Sequence, residues 1–158
     1  MLKLETIEIQ SDDLETIAKT RVSDAVKKCG LHVIVEDAGL FIKALKGFPG
    51  PYASYVYKTI GNEGLLKLME NKIMRNAYFE SVVAFYGPKE KEPLCFRGRV
   101  DGRISLEVRG DGGFGFDPVF IPNEGDGRTF AEMKITEKNV LSHRARALNN
   151  FAQWYKSI

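Results

Sequence analysis

Two stretches rich in aromatic and branched residues, AYFESVVAFYG (residues 77–87) and LCFRGRVDGRISLEV (residues 94–108), stand on either side of the polar segment GPKEKEP. Such side chains suit the pleated surface of a sheet, and a Gly-Pro turn between two such runs predicts a long strand pair. A sheet with an apolar face must be covered, and the chain supplies helices for the purpose. In DDLETIAKTRVSDAVKKC, the residues Leu14, Ile17, Ala18, Val22, Ala25, Val26 and Cys29 recur at helical spacing. This helix is expected to open on Ser11 or Asp12, with Asp12 and Glu15 as a capping box. After Ser142, a favourable N-cap, Ala145, Leu148, Phe151, Ala152 and Tyr155 form a second apolar stripe. KLETIEI alternates as a short strand, and HVIVED reads as a buried strand ended by its carboxylates and Gly39. KGFPGPY reads as a turn, followed by two short helices separated near Gly61 and Gly64. The expectation is one α/β domain, residues 1–158, with helices on a mixed sheet.

Composition narrows the function classes. A formal net charge of +2 gives no strong field of either sign, which argues against a nucleic-acid binder and a membrane-surface protein. Cys29 and Cys95 lie far apart, without a second Cys or His at zinc-finger spacing, and read as reduced thiols of an intracellular chain. No stretch suits a signal peptide or a bilayer span, so the expected location is cytoplasmic.

Four features could carry chemistry. Glu36 and Asp37 close the strand HVIVED, where open α/β sheets place ligands. Successive strand residues face opposite ways, so one of the two enters a given crevice, and Val33 and Val35 share a face with Asp37. A carboxylate there can hold Mg²⁺ or take a proton from water, or it can lie in a solvated turn. Arg21 falls inside the apolar arc of the first helix, where a cation must snorkel or find an anion, a phosphate included. GGFGFDP offers backbone N–H groups beside Phe114 and Phe116, one of which can face a cleft and stack on a purine; it matches neither a Walker A loop nor a dinucleotide fingerprint. Lys138, His143 and Arg144 gather donors around the start of the last helix, the wrong end for cations unless an anion or an acceptor-rich base edge sits there. FRGRVDGR, which has the look of an RNA-binding tract, instead alternates as a strand with Arg97, Arg99 and Asp101 on a solvated face.

VEDAGL, GFPGPYASYV, FRGRVDGRIS, GGFGFDPVFIP, FAEM and EKNVLSHRARAL follow one another in the order found in the inosine triphosphate pyrophosphatase family, which the chain resembles from about Glu8 onward. Enzymes of that family remove pyrophosphate from ITP, dITP and XTP. The resemblance implies an elongated mixed sheet flanked by helices, with a nucleotide cleft between two lobes, and a homodimer. It implies that Asp37 binds Mg²⁺ and activates water, and that Glu8 is a second metal ligand. Arg21 would replace a phosphate-binding lysine, and Phe114, Gly115, Phe116 and Asp117 would form the base loop. Lys138, His143 and Arg144 would read the base. Ala38 stands where Ser or Thr is usual, which leaves a backbone contact, and Phe116 replaces a Tyr or Trp. Members also carry a strand and a T/S-x-N-x-x-K triphosphate loop upstream of the point where this sequence begins. A relative working without that loop would bind nucleotides without hydrolysing them, which is the alternative reading.

Overall fold

The computed structural model describes residues 4–158. Five strands form one sheet: β1 (Val33–Ile42), β2 (Pro49–Gly50), β3 (Asn76–Tyr86), β4 (Leu94–Ile104) and β5 (Phe120–Pro122), in the spatial order β2-β1-β3-β4-β5. The expected hairpin is its centre, with β3 and β4 in register from Asn76 opposite Arg103 to Phe85 opposite Leu94. β1 runs along the other side of β3, Val33 opposite Tyr86 and Ile42 opposite Ala77.

Every pairing among the described strands is antiparallel, which corrects the mixed sheet expected from sequence. The reason is where the connections lead. Each described strand re-enters the sheet at the end where its neighbour left it, so the helix between β1 and β3 is an excursion over one face and not a crossover.

The described residues include four α-helices, α1 (Leu14–Cys29), α2 (Ala53–Leu68), α3 (Ile135–Leu141) and α4 (His143–Lys156). On one face of the sheet Leu14, Ala18 and Val22 of α1 pack against Val82 and Ala84 of β3, with Val33 and Val35 of β1 beside them. On the other face Val56 and Leu65 of α2 join Leu40, Ile42, Phe79, Val100, Phe120 and Phe130. α4 also lies on this second face, over β3 and β4. It sits so close that a Cβ at Gly98 would come within 2.1 Å of the His143 carbonyl oxygen.

Several local expectations shift. The cap of α1 is Asp13, later than either residue expected, its carboxylate accepting from the N–H groups of Glu15 and Thr16. Of KLETIEI, Lys3 lies outside the described residues and Leu4–Ile9 form no strand. Instead, the Ile7 N–H donates to Asp24 and Lys28 Nζ donates to the Glu5 carbonyl, fastening the segment to α1. An alternating pattern makes a strand only where an edge is available to pair with. β1 does not stop at Gly39 but continues to Ile42, so Glu36 and Asp37 lie within the strand and not at its end. The two helices expected here are present, and α2 is in fact two helical pieces that meet at a kink where Gly61 leaves helical geometry, at φ 63° and ψ −166°. β4 alternates as read, with Arg97, Arg99 and Asp101 exposed. Arg97 pairs with Glu15 and Glu80, and Arg99 with Asp101.

Candidate active site

β3 borders β1 along its whole length, whereas β2 pairs only with Leu40 and Phe41 on the opposite edge. Gly39 lets β2 come in, since a Cβ there would stand 2.6 Å from the Gly50 carbonyl oxygen. Just before that point, residues 36–38 line a cavity of about 860 Å³ between α1, the first turns of α2 and the start of α4. At Ala38, Ser54 and Arg144 it meets a second cavity of about 350 Å³, lined by Phe79, Phe114, Phe116 and His143 among others. The two form one bent cleft around the edge of β1.

The alternation of β1 divides its two carboxylates between the faces of the sheet. Asp37 turns to the α1 side and ion-pairs with Arg21 Nη1. Arg21 therefore neither snorkels nor waits alone; its anion is the next element's carboxylate. The pair is incomplete, because Asp37 Oδ2 and Arg21 Nε are buried without a hydrogen-bond partner. Burial pushes the Asp37 carboxyl above its ordinary range, even against the pull of Arg21. Glu36 turns to the opposite side, where its Oε1 accepts from the Ser81 hydroxyl (2.6 Å) and lies 3.0 Å from Arg144 Nε.

An orphaned carboxylate oxygen facing a polar cavity suits a hard cation, and Glu8 lines the same cavity from the segment before α1. Among the described residues no group of three or more His, Cys, Asp or Glu could enclose a metal. One or two carboxylates are what Mg²⁺ takes from a protein, the rest of its shell being water and phosphate, and Asp37 and Glu8 are the residues that could supply them. This set does not fit an all-protein cage.

In the second cavity Phe114 is 59 % exposed, while Phe116 is buried with its edge on Tyr57 (5.5 Å between centroids). Both line the cavity, and Phe114 is the more exposed of the two. Its backbone N–H donates to Asp117 Oδ2 (2.7 Å), and the same buried carboxylate holds Lys138 Nζ. Lys138 also lies over the Phe114 ring at 4.3 Å and Arg144 over it at 4.8 Å. Gly115, at φ 61°, makes the turn between the two phenylalanines, and its carbonyl accepts from Asn62 Nδ2 (3.3 Å).

Ser142 caps α4 as expected, accepting from the Ala145 N–H. Taken one at a time, Lys138, His143 and Arg144 read as exposed, and here two of the three are not: Lys138 is 5 % and His143 4 % accessible. His143 stacks on Phe79, with centroids 4.7 Å apart and planes at 9°. Burial, with Arg144 and Lys138 nearby, pushes its pKa down to about 3. It is thus a neutral imidazole, and the objection to a cation at a helix N-terminus disappears for this residue.

Sequence reasoning overlooked Glu36 as a partner of Arg144, Phe79 as a floor for His143, and the α2 residues Ser54, Tyr57 and Lys58. Ser54 and Lys58 are four apart on a helix that starts just after Pro51, a spacing that places them on one face. Pairings such as Glu36–Arg144 leave no local pattern.

The family model described as the Ham1 family matches residues 1–154. The chain belongs to the Ham1 family. A Ham1 relative, the dITP/XTP pyrophosphatase of Methanopyrus kandleri, is 53 % identical over 150 residues, which are 95 % of this chain and 79 % of that protein. The dITP/XTP pyrophosphatase of Thermococcus kodakarensis is 52 % identical over 98 % of this chain and 82 % of its own length. Among solved structures, the Staphylococcus aureus Ham1 protein superposes with a TM-score of 0.90 at 31 % identity, covering 98 % of this chain and 81 % of that one. No helix among the described residues is long and apolar enough to cross a membrane.

Proposed function

We propose that this Ham1 chain hydrolyses the non-standard purine triphosphates ITP, dITP and XTP to the monophosphate and pyrophosphate, in the cytoplasm, through the single domain of residues 1–158. The relatives named as dITP/XTP pyrophosphatases, at about half identity over nearly the whole chain, support the activity. The observation that carries the site assignment is the continuity of the cleft: an unsatisfied carboxylate at one end, an exposed aromatic ring at the other, and shared walls between them.

The purine stacks on Phe114, a contact worth roughly 1–3 kcal/mol for bases on aromatic rings. Arg144 and Lys138 present donors to the 6-oxo acceptor of hypoxanthine or xanthine. Adenine would bring an amino donor against them, leaving buried donors unpaired at about 1–3 kcal/mol each. The phosphates extend past Ala38 towards Arg21, Lys58 and the first turn of α2, whose orphan N–H groups favour anions. Asp37, with Glu8, would hold Mg²⁺, which neutralises phosphate charge and acidifies bound water. Asp37 accepts the proton of the water that attacks the α-phosphorus; the bond from that phosphorus to the bridging oxygen breaks, and pyrophosphate leaves with that oxygen.

The homodimer belongs to the same reading, supported by the exposed apolar side chains of Ile73 and Leu106 around Arg75. The test is pyrophosphate release from ITP, XTP, GTP and ATP with Mg²⁺, on wild type and Asp37→Asn. Release from ITP and XTP, falling by about 10²–10⁴-fold in the variant while inosine monophosphate still binds, is expected. Undiminished turnover in Asp37→Asn would remove Asp37 from its role. Binding of ITP without release by the wild type would return the non-hydrolysing alternative.

A further inference from the structure

Glu36 has no part in the chemistry above, yet it lines the first cavity beside Arg144, one of the residues at which the two cavities meet. Its carboxylate is tied from below by the fully buried Ser81 hydroxyl at 2.6 Å. From above it faces Arg144 Nε at 3.0 Å. Ser81 belongs to β3, opposite Ala38, so the anchor is the centre of the sheet. Arg144 lies in the first turn of α4, lines both cavities and places its guanidinium over Phe114. Among the described residues Glu36 is its only ion-pair partner, and the contact is made through Nε. The two terminal nitrogens of the fork are thereby left uncommitted, next to the ring on which a base would lie.

A long cation at a helix N-terminus is opposed by the helix dipole and has no local reason to lie in one place. A carboxylate fixed to the sheet supplies that reason. We infer that Glu36 is a positioning residue for base recognition: it holds Arg144 across the Phe114 ring, so that the guanidinium is already in place when a purine arrives. This deepens the proposed function and rests on its assignment of the second cavity to the base. It also ties base reading to the strand that carries Asp37, through two consecutive residues on opposite faces.

The test uses Glu36→Gln, which keeps the shape and an acceptor for Ser81 but removes the charge, together with Arg144→Ala and the double variant. Inosine monophosphate and inorganic pyrophosphate serve as probes in calorimetry, and XTP turnover is followed alongside. Glu36→Gln is expected to weaken inosine monophosphate by about tenfold and leave pyrophosphate unchanged. KM for XTP should rise by more than kcat falls. In the Arg144→Ala background the same substitution should add nothing, because Glu36 acts through that side chain. A purely structural role would instead weaken both probes and add its effect to that of Arg144→Ala. The inference is overturned if Arg144→Ala weakens inosine monophosphate while Glu36→Gln does not, or if the two effects are additive. If Arg144→Ala itself leaves inosine monophosphate binding intact, the base assignment of this cavity fails and the inference fails with it.

Discussion

In the proposed base pocket, Asp117 and Lys138 are buried, hold each other, and share the Phe114 loop between them. At the proposed phosphate end, Arg21 and Asp37 also meet, but each keeps a buried polar atom without a partner. The first pair is complete as folded. The second is not, and on the proposed reading each residue stands in for what the other would bind. A base is rigid and presents few groups, so a prebuilt pocket loses little entropy on receiving it. Phosphates with a cation bring charge that must be matched at the moment of binding, and unsatisfied groups are what can match it. Stability and catalysis should therefore separate along the cleft.

The largest effect on stability is expected from Lys138→Met. It strands the Asp117 carboxylate, 2 % exposed, without its cation, at a cost of about 3–5 kcal/mol. Thermal unfolding measures it, and Lys138→Met with Asp117→Asn should recover part of the loss. If Asp37→Asn destabilised the fold as severely, the contrast between the two ends would be broken.

The next effect is a pH dependence. The unfolded chain binds a proton on His143 near pH 6.5, which the folded chain refuses until about pH 3. Between those values the unfolded state carries more protons, so stability falls as pH drops through this window and is level above it. The size is of order a few kcal/mol. Denaturant unfolding from pH 7 to pH 4 reads it, and His143→Gln should flatten the slope. An unchanged slope in the variant would remove the buried neutral imidazole from the base pocket.

The smallest effect belongs outside the cleft. Arg128 pairs with Asp126 and Glu137 on the surface, where water screens the charges, so Arg128→Ala should leave the midpoint of thermal unfolding almost where it was and turnover unaltered. A large loss there would mean that the satisfied pairs of the base pocket are nothing special.

How far these differences could be read in advance depends on the range of the interactions. The apolar arc of α1 exposed Arg21 as misplaced, because a helix repeats within a few residues. Alternation in FRGRVDGR gave the solvated face of β4 for the same reason. Asp37 stands out in the sequence, but as the end of a strand, since the sequence does not reveal that Gly39 admits a neighbour and does not stop the chain. Lys138 and Arg144 look like free donors in the sequence because Asp117 and Glu36, which hold them, are distant in the chain and meet them only in the fold. KLETIEI failed from the other direction: its pattern was correct for a strand, and the described segment pairs with none.

The seat of α4 on Gly98 gives the cleft one wall that cannot yield. Contact there is backbone against backbone, with the His143 carbonyl and the Ala147 N–H pressed to the strand and no side chain between them to shorten. The facing wall is the Phe114 loop, an exposed ring on a surface turn. If the cavity takes a base as proposed, any broadening of tolerance to bulkier ones, by drift or by engineering, would come from that loop, while a ligand grown towards α4 meets a hard stop.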